Sequence, residues 1–437
     1  MRYGHPFALA AWLALALAAA LNLLAVMPPL QDFNEWIYQG WLVGEILRGA
    51  EVPFAIKPWP VPNAAAQALL GVLNLALPAH GAGLAYLTLY LAGFAWLAWR
   101  LAHRQGGFEP ATFLLIVLVG VLNSPYWDGY ANYQLGLALL LLHVFWQRRG
   151  TGAWTDLAMG IAIFFCHAVV LAVFALLVGW RALLQRHLLR GALVLAPPLA
   201  MLGWYVMADD NYGEYIPPFG NTLREFVAYK AYTLAKSGPY QNMVIGGIGD
   251  AARAPWLYYA GVAANLAFVL AAMVPLALAV AWDAWRGGRR SPEVLTALCC
   301  LAGFAVLPSA MFGVVNIGER LLLPGVLIAL AACTDPWRLR RFGAAVAMLA
   351  PAAVLHFHLV IPPVPPAGEI RHLAAHDPAQ RYALLFWHRP FQFRDQIAAA
   401  RRGEAVGLGF TTSLLRPACC GQPAAANLLR REAPVAR

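Results

Sequence analysis

The sequence predicts an all-α polytopic membrane protein, and three observations support this fold class. Only 12% of the 437 residues are charged while 61% are hydrophobic, and the mean hydropathy is +0.60. Apolar runs of membrane-spanning length recur along the chain. The net charge of +10 comes from arginines that lie largely in short clusters between these runs and in the C-terminal tail. This arrangement is typical of membrane topology and argues against nucleic acid as a partner.

The first apolar run extends from Phe7 to Met27 and follows Arg2 and His5. It is about 20 residues long, which is enough to cross a bilayer. No small-residue cleavage site precedes Pro28, as a signal peptide would require. We therefore expect a retained first helix whose N-terminus lies in the cytoplasm.

Basic clusters mark the cytoplasmic ends of the runs, because cytoplasmic loops are enriched in Lys and Arg. The clusters are Arg2; Arg100 and Arg104; Arg148 and Arg149; Arg181, Arg186 and Arg190; Arg286, Arg289 and Arg290; and Arg338, Arg340 and Arg341. Two runs do not fit a single crossing. The run 64–77 is about 14 residues long and too short, and the run 154–180 has basic residues at both ends. We interpret the first as a helix at the outer surface and the second as two half-helices that meet at His167.

With these two interpretations, every cluster falls on one side of the membrane. The predicted crossings, about 11 transmembrane or half-membrane helices, are 7–27, 84–102, 111–123, 134–147, 155–166, 168–182, 191–208, 256–282, 294–314, 321–333 and 343–361. They form one membrane domain, residues 1–361, with external loops 28–83 and 209–255. Apolar residues at helical spacing predict a surface helix over 222–237. Residues 362–437 are expected to form a small extracytoplasmic α/β appendage, with a strand over 381–389 and a helix over 393–404.

The predicted outer face collects acidic, cationic and aromatic side chains. Six cysteines, with no CxxC pair and no histidine at metal-ligand spacing, indicate neither a disulfide framework nor a metal site. We expect no tightly held metal or other cofactor; a divalent cation stays open as an alternative that the sequence does not support. A plainer interpretation is open for each residue, since acids are tolerated outside and Trp and Tyr anchor membrane interfaces.

The order of features resembles the polytopic glycosyltransferases of the GT-C class. "DFNEWIY" (32–38) is similar to the acidic motif of their first external loop, and "IKPWPVPN" (56–63) to the turn that enters their surface helix. "YWDGYANYQ" (126–134) is similar to their external acid at a helix start, and "FFCHAVV" (164–170) to their pair of short helices. The resemblance covers roughly residues 5–335 and is nearest to an uncharacterised bacterial branch. The chain lacks the adjacent acidic pair of several such enzymes, and His167 replaces their junction lysine.

The resemblance implies transfer of a hexosyl or pentosyl group from a polyprenyl-phosphate sugar donor. The acceptor would be a lipid, glycan or protein of the cell envelope, outside the bacterial cytoplasmic (inner) membrane. Asp32 is the candidate base, because such a reaction needs a group that takes the acceptor's proton. Glu35 is the second choice, or a partner that raises the pKa of Asp32.

The remaining candidates bind the substrate in this interpretation. Lys57, His167 and Arg320 would hold the phosphate. Trp59 and Tyr130 would stack on a sugar, and Asp128 would line the site. Glu319 and Arg320 have a plainer interpretation as a pair with each other at the surface.

Two other classes stay open. A transporter or lipid flippase would also have many helices and broken segments. The absence of an inverted hydropathy repeat, and charges that cluster at one face instead of at mid-membrane, argue against it. A catalytically inactive GT-C-like assembly protein is a third possibility, because a fold does not specify a function.

Overall fold

The structure is a computed structural model, and it is mostly helical in the residues it describes. These are residues 5–24, 30, 32–104, 107–147, 150, 152–208, 222–241, 255–286, 291–308, 310–311, 314–315, 317–332, 337–360, 392–401 and 414–417. The predicted strand over 381–389 lies outside the described residues, and so do the adjacent cysteines of the tail, Cys419 and Cys420. The same is true of three acids that the sequence places in the external loop 209–255, namely Asp209, Asp210 and Glu214.

The helices follow the apolar runs of the sequence. They are α1 His5–Leu24, α2 Phe33–Leu47, α3 Ala65–Asn74, α4 Ala79–Ala102, α5 Pro110–Ile116, α6 Ser124–Trp127, α7 Ala131–Gln147, α8 Ala153–Cys166, α9 Ala168–Leu184, α10 Leu188–Ala208, α11 Leu223–Lys236, α12 Pro255–Phe268, α13 Val274–Arg286, α14 Pro292–Val306, α15 Ile317–Ala332, α16 Trp337–Val346, α17 Ala350–Val360 and α18 Gln392–Arg401. Single π-helical turns, Val117–Val121 and Val269–Met273, extend α5 and join α12 to α13.

Among the described residues, four helical segments are long and apolar enough to cross a membrane. They are Pro6–Leu24, Ala79–Ala102, Leu188–Ala208 and Tyr258–Trp285. Shorter apolar helices fill most of the other predicted crossings. The chain is thus a helical protein with membrane-length apolar helices, and the number of its crossings stays a prediction.

The predicted break at His167 is confirmed. Helix α8 ends at Cys166, His167 has extended backbone angles, φ −166° and ψ 128°, and α9 begins at Ala168. Helices α8, α9 and α10 pack against one another. Two helices meeting at a histidine therefore replace one straight helix through 154–180.

Ionic side chains gather at the opposite end of α8 and α9 from His167. Asp156, in the first turn of α8, lies 3.0 Å from Arg190. Arg181, near the end of α9, lies 3.1 Å from Glu293. The two helices therefore separate two polar regions of the described structure, one at each of their ends.

The segment 32–74 forms its own helix pair. Helices α2 and α3 approach closely because glycines face the partner helix: a Cβ on Gly40 would lie 2.4 Å from the Cβ of Leu70, and one on Gly71 would lie 2.5 Å from Cγ1 of Val43. The short helix predicted over 64–77 is thus present as α3.

The described parts of the C-terminal tail join this pair. Strand β6, Leu415–Pro417, pairs antiparallel with β1, Phe54–Ile56, and α18 packs on α2. Two further two-stranded ladders connect β2, His103–Arg104, with β3, Gly107–Phe108, and β4, Ala310–Met311, with β5, Val314–Val315. The tail segments 392–401 and 414–417 therefore contact the first loop directly.

Candidate functional site

The turn between α5 and α7 positions Asp128. The π-helical extension of α5 ends at Val121, and Asn123 caps α6 by accepting a hydrogen bond from the Tyr126 N–H, at 2.9 Å. Asparagine is a favoured N-cap, and Pro125 fits the first helical turn, where no N–H donor is needed. Gly129 then reverses the chain with φ +79°, which glycine adopts at little cost.

This turn lies directly against the start of α2. The Asp32 N–H donates to the Asp128 carbonyl at 2.9 Å. A Cβ at Gly129 would lie 2.4 Å from the nitrogen of Phe33 and 2.7 Å from that of Asp32. Asp32 occupies the N-cap position of α2, yet its side chain makes no capping hydrogen bond. A purely capping role for the Asp32 carboxylate is therefore not supported.

Lys236 lies between two carboxylates. Its Nζ is 2.9 Å from Oε2 of Glu319 and 3.8 Å from Oδ2 of Asp128. Ser124 also donates to Oδ2 of Asp128, at 3.1 Å. The exposed fractions are 6% for Lys236, 8% for Asp128 and 1% for Glu319. Because these charges are removed from water, the ammonium and the two carboxylates need one another as counter-charges.

The alternative that Glu319 and Arg320 pair with each other is wrong. The ion pair of Glu319 is with Lys236, while Nη1 of Arg320 lies 3.0 Å from Nε2 of His167. The Arg320 guanidinium also lies 4.8 Å from the ring centre of Tyr130. The two neighbouring residues thus point to different partners within one group. We call Asp128, Tyr130, His167, Lys236, Glu319 and Arg320 the acid–base cluster.

The backbone and rings around Arg320 fix its position. Tyr133 donates its hydroxyl to the Arg320 carbonyl at 3.0 Å. The rings of Tyr133 and His167 make an edge-to-face contact with 5.2 Å between centres. Nε of Arg320 is buried and makes no hydrogen bond with a described residue. Arg320 therefore retains a buried donor beside the cluster.

The hydrogen bonds of His167 constrain its proton. Its Nδ1 accepts from the Val169 N–H at 3.1 Å, which caps α9. A neutral imidazole has one unprotonated nitrogen, so this cap leaves the proton on Nε2. Nε2 and the Arg320 guanidinium are then both donors, and an oxygen carrying negative charge suits the position between them.

Burial and neighbouring charges shift the protonation of the cluster. Burial raises the pKa of Asp128 to about 6, Lys236 opposes the rise and Glu319 adds to it. Burial lowers the pKa of Lys236, but Glu319 and Asp128 outweigh it and hold that pKa well above the usual value. Lys236 therefore remains an ammonium, while Asp128 exchanges its proton near neutral pH.

Two other groups of the cluster are shifted as well. Burial and the Asp128 carboxylate raise the pKa of Tyr130 well above its usual value, with a further contribution from Asp32. Burial and Arg320 lower the pKa of His167 well below its usual value, so this imidazole is neutral. The electrostatic effect of Asp32 on Tyr130 indicates that Asp32 lies near the cluster.

Glu35 belongs to a second group of side chains, which we call the amide chain. It comprises Glu35, Gln39, Gln67 and Gln396. The Glu35 carboxylate accepts from Gln39 and from Gln396, each at 3.1 Å. Gln67 donates to Gln39 and accepts from the Leu414 N–H at 2.7 Å. The contacts of Glu35 thus connect α2 to α3 and to the C-terminal tail.

Lys57 and Trp59 lie beside the amide chain. The Lys57 N–H donates to the Leu414 carbonyl at 2.9 Å. The Trp59 ring lies 5.9 Å from Nζ of Lys57 and 5.9 Å from the guanidinium of Arg416. Lys57 is buried, and Trp59 also packs against the buried group formed by Val61, Ala64 and Tyr205.

The structure therefore divides the predicted site residues into two groups. Five converge on the acid–base cluster: Asp32, Asp128, Tyr130, His167 and Arg320. The other three lie apart from it: Glu35 binds the amide chain, Lys57 contacts the tail, and Trp59 lies near Lys57 and Arg416 and packs against the buried group that includes Tyr205. Among the described residues, no group of three or more His, Cys, Asp or Glu side chains is arranged to hold a metal ion.

Sequence analysis missed Lys236 and Gln396, and it did not assign Glu319 to the site. The helix that carries Lys236 was predicted, but the sequence does not distinguish this lysine from Lys230 on the same helix. Lys230 instead caps the end of α14 through the carbonyls of Phe304 and Leu307. A signal was available for Glu319, since a carboxylate beside an apolar run tends to face a polar partner.

Comparison with protein-family models, with curated proteins and with solved structures found no match to this chain. The assignment to the GT-C class therefore stays a prediction from the sequence.

Proposed function

We propose that the protein is an integral membrane glycosyltransferase that moves a sugar from a polyprenyl-phosphate donor to a lipid, glycan or protein acceptor. One observation carries this proposal: donors and carboxylates from separate parts of the chain are buried side by side in the acid–base cluster. Sugar transfer from a phosphate needs both kinds of group, a base for the acceptor and donors for the leaving group.

Arg320 and His167 are the proposed phosphate ligands. In the capping tautomer of His167, its Nε2–H and the Arg320 guanidinium lie 3.0 Å apart as two donors, and the buried Nε of Arg320 adds another. A phosphate oxygen between them would accept from both and relieve their mutual repulsion. The positive charge of Arg320 would also stabilise the negative charge that the departing phosphate gains.

Asp32 is the proposed base. The acceptor hydroxyl would attack the anomeric carbon while the bond from that carbon to the phosphate oxygen breaks. The phosphate would leave with the electron pair, and the hydroxyl proton would pass to the Asp32 carboxylate. The position of Asp32 against the turn that holds Asp128 supports this role. We assign Glu35 to positioning, because its carboxylate is held by two amides.

In this proposal the chain crosses the bacterial cytoplasmic membrane with about 11 transmembrane or half-membrane helices. The acid–base cluster faces outward, and the ionic pairs Asp156 with Arg190 and Arg181 with Glu293 face the cytoplasm. The basic residues 181–190 support this orientation. The polyprenyl chain of the donor would lie in the bilayer beside the apolar helices.

The test is sugar transfer from a polyprenyl-phosphate donor in membranes that contain each variant, scaled to the amount of inserted protein. Asp32→Asn keeps the size of the side chain but cannot take the proton, so turnover should fall by about 100-fold or more. Glu35→Gln should cost less. Glu45→Gln is the matched control, because Glu45 lies on the same helix and pairs with Arg48 at 2.6 Å.

Full activity in Asp32→Asn would remove Asp32 from the reaction. If no sugar transfer is found while the protein moves the intact lipid across vesicle membranes, the flippase alternative replaces the proposal. If correctly inserted protein shows neither sugar transfer nor lipid movement, the assembly role is favoured.

A further inference from the structure

The contacts of Lys236 have a feature that the proposed reaction does not use. One ammonium group lies within 4 Å of two carboxylates that come from separate elements, the turn before α7 and the first turn of α15. Two carboxylates facing one cation are an arrangement in which proteins often hold a divalent ion. Here the cation is a side chain, and α11 carries it.

Glu319 depends on this cation. It is 1% exposed, and neither carboxylate oxygen has a well-aligned hydrogen bond from a described residue, although Nζ of Lys236 lies 2.9 Å away. A buried carboxylate without a counter-charge would take up a proton instead of remaining ionised. Asp128 has Ser124 as an additional donor, so Glu319 loses more if the lysine is removed.

We propose that Lys236 is a positioning residue that serves the site as a built-in cation, holding Asp128 and Glu319 together as a carboxylate pair beside Arg320. Its cation role stands on the geometry of the cluster, whereas any effect on sugar transfer rests on the proposed function. The position of Lys236 in the last turn of α11 makes docking of this helix part of the site. The site then needs no metal ion between these carboxylates while α11 is docked.

Other side chains of known position surround Lys236, Asp128 and Glu319. Ser124 and Arg320 lie on the Asp128 side, and the ring of Tyr232 lies 5.4 Å from Nζ of Lys236. The cluster also includes the neutral His167 and the ring of Tyr130. The titratable and charged groups near Asp128 are therefore Lys236, Glu319, Arg320, Tyr130 and Tyr232.

The first experiment measures the melting temperature of the purified full chain with and without millimolar Mg²⁺, Ca²⁺ or Mn²⁺. Lys236→Ala removes the ammonium and leaves two facing carboxylates, so its melting temperature should fall at neutral pH and a divalent cation should restore part of the loss. The wild-type chain should not respond. Lys230→Ala is the matched control, because this lysine of the same helix binds backbone carbonyls and not carboxylates.

The second experiment follows the infrared band of protonated carboxyl groups during a pH titration. Lys236 lowers the pKa of Asp128, which burial raises to about 6. Lys236→Met keeps a long unbranched side chain but removes the charge, so the band should persist to higher pH, by about one unit or more. Asp128→Asn should remove the component that titrates near pH 6 in the wild-type chain.

The results of these two experiments test the role of Lys236 separately from the assay of sugar transfer. A Lys236→Ala chain that is insensitive to divalent cations, or an infrared titration unchanged in Lys236→Met, overturns the built-in cation even if the protein is a glycosyltransferase. Cation rescue of stability without any sugar transfer in the wild-type chain would retain Lys236 as the cation and reject the proposed function. If Lys236→Ala does not insert, Lys236→Met supplies both measurements.

Discussion

The turn around Asp128 depends on one backbone position. Gly129 has φ +79°, and its Cα faces the backbone nitrogens of Asp32 and Phe33. Both the left-handed conformation and the short distance exclude a side chain there. The contact between the candidate base and the acid–base cluster therefore rests on a residue with no side chain of its own.

We predict that Gly129→Ala is more destabilising than Gly49→Ala. Both glycines have similar positive φ angles, +79° and +77°, but a Cβ at Gly49 meets nothing within 4 Å. The control substitution should cost about 1–2 kcal/mol for its conformation alone. Gly129→Ala should exceed that cost, because the backbone of α2 must move. Thermal unfolding of the two variants in one detergent measures the difference. Equal losses of stability would mean that the close approach of Gly129 to α2 adds nothing to the cost of the substitution.

The residues of the site were predictable to different degrees. His167 could be found because the basic residues at both ends of one run require a break between them. Lys236 could not, because its importance comes from the carboxylates of Asp128 and Glu319, which are distant in sequence and become neighbours only through helix packing. Polar residues at the ends of apolar runs are thus visible in the sequence, but their pairing is a tertiary property.

At the scale of elements, the C-terminal tail shows where sequence reasoning fell short. The helix predicted over 393–404 is present as α18, Gln392–Arg401. Its amphipathic spacing revealed that it is helical, but not which surface receives it. In the structure, Ile397 and Ala400 are buried and Gln396 binds Glu35. The described tail segments 392–401 and 414–417 therefore pack on the first loop, and the C-terminal appendage as a whole stays a prediction.

We predict that Ile397→Asp releases α18 from α2. Burying an unpaired carboxylate should cost about 2 kcal/mol or more, which raises the undocked population by about 30-fold. Ala398→Asp is the control, because Ala398 is exposed on the same helix. Limited proteolysis of the tail should be faster in Ile397→Asp and unchanged in Ala398→Asp. Equal cleavage of both variants would indicate that α18 is not held by α2.

At the scale of the whole molecule, two groups of polar side chains in the described structure lie at opposite ends of the helix pair α8 and α9. The acid–base cluster includes His167 at their junction, and the ion pairs of Asp156 and Arg181 lie at the other end. The separation follows from the sequence, in which apolar runs divide the charged segments. The basic clusters predict which end faces the cytoplasm, since short arginine-rich loops are retained there.

The final prediction tests this orientation by cysteine labelling. The apolar segment Tyr258–Trp285 has 28 residues and is about 42 Å long as a helix, which exceeds the hydrocarbon thickness of about 30 Å. In the proposed topology its two ends lie on opposite sides of the membrane, and the exposed Trp256 and Trp285 suit the two interfaces.

Because Arg286, Arg289 and Arg290 follow this segment, its C-terminal end should be cytoplasmic. In a cysteine-free background, an impermeant thiol reagent added to intact cells should label a cysteine at position 213 or 392. It should label one at position 287 only after the membrane is opened. Position 287 labelled from outside would invert the arrangement and place the acid–base cluster in the cytoplasm, where an extracytoplasmic sugar acceptor could not reach it.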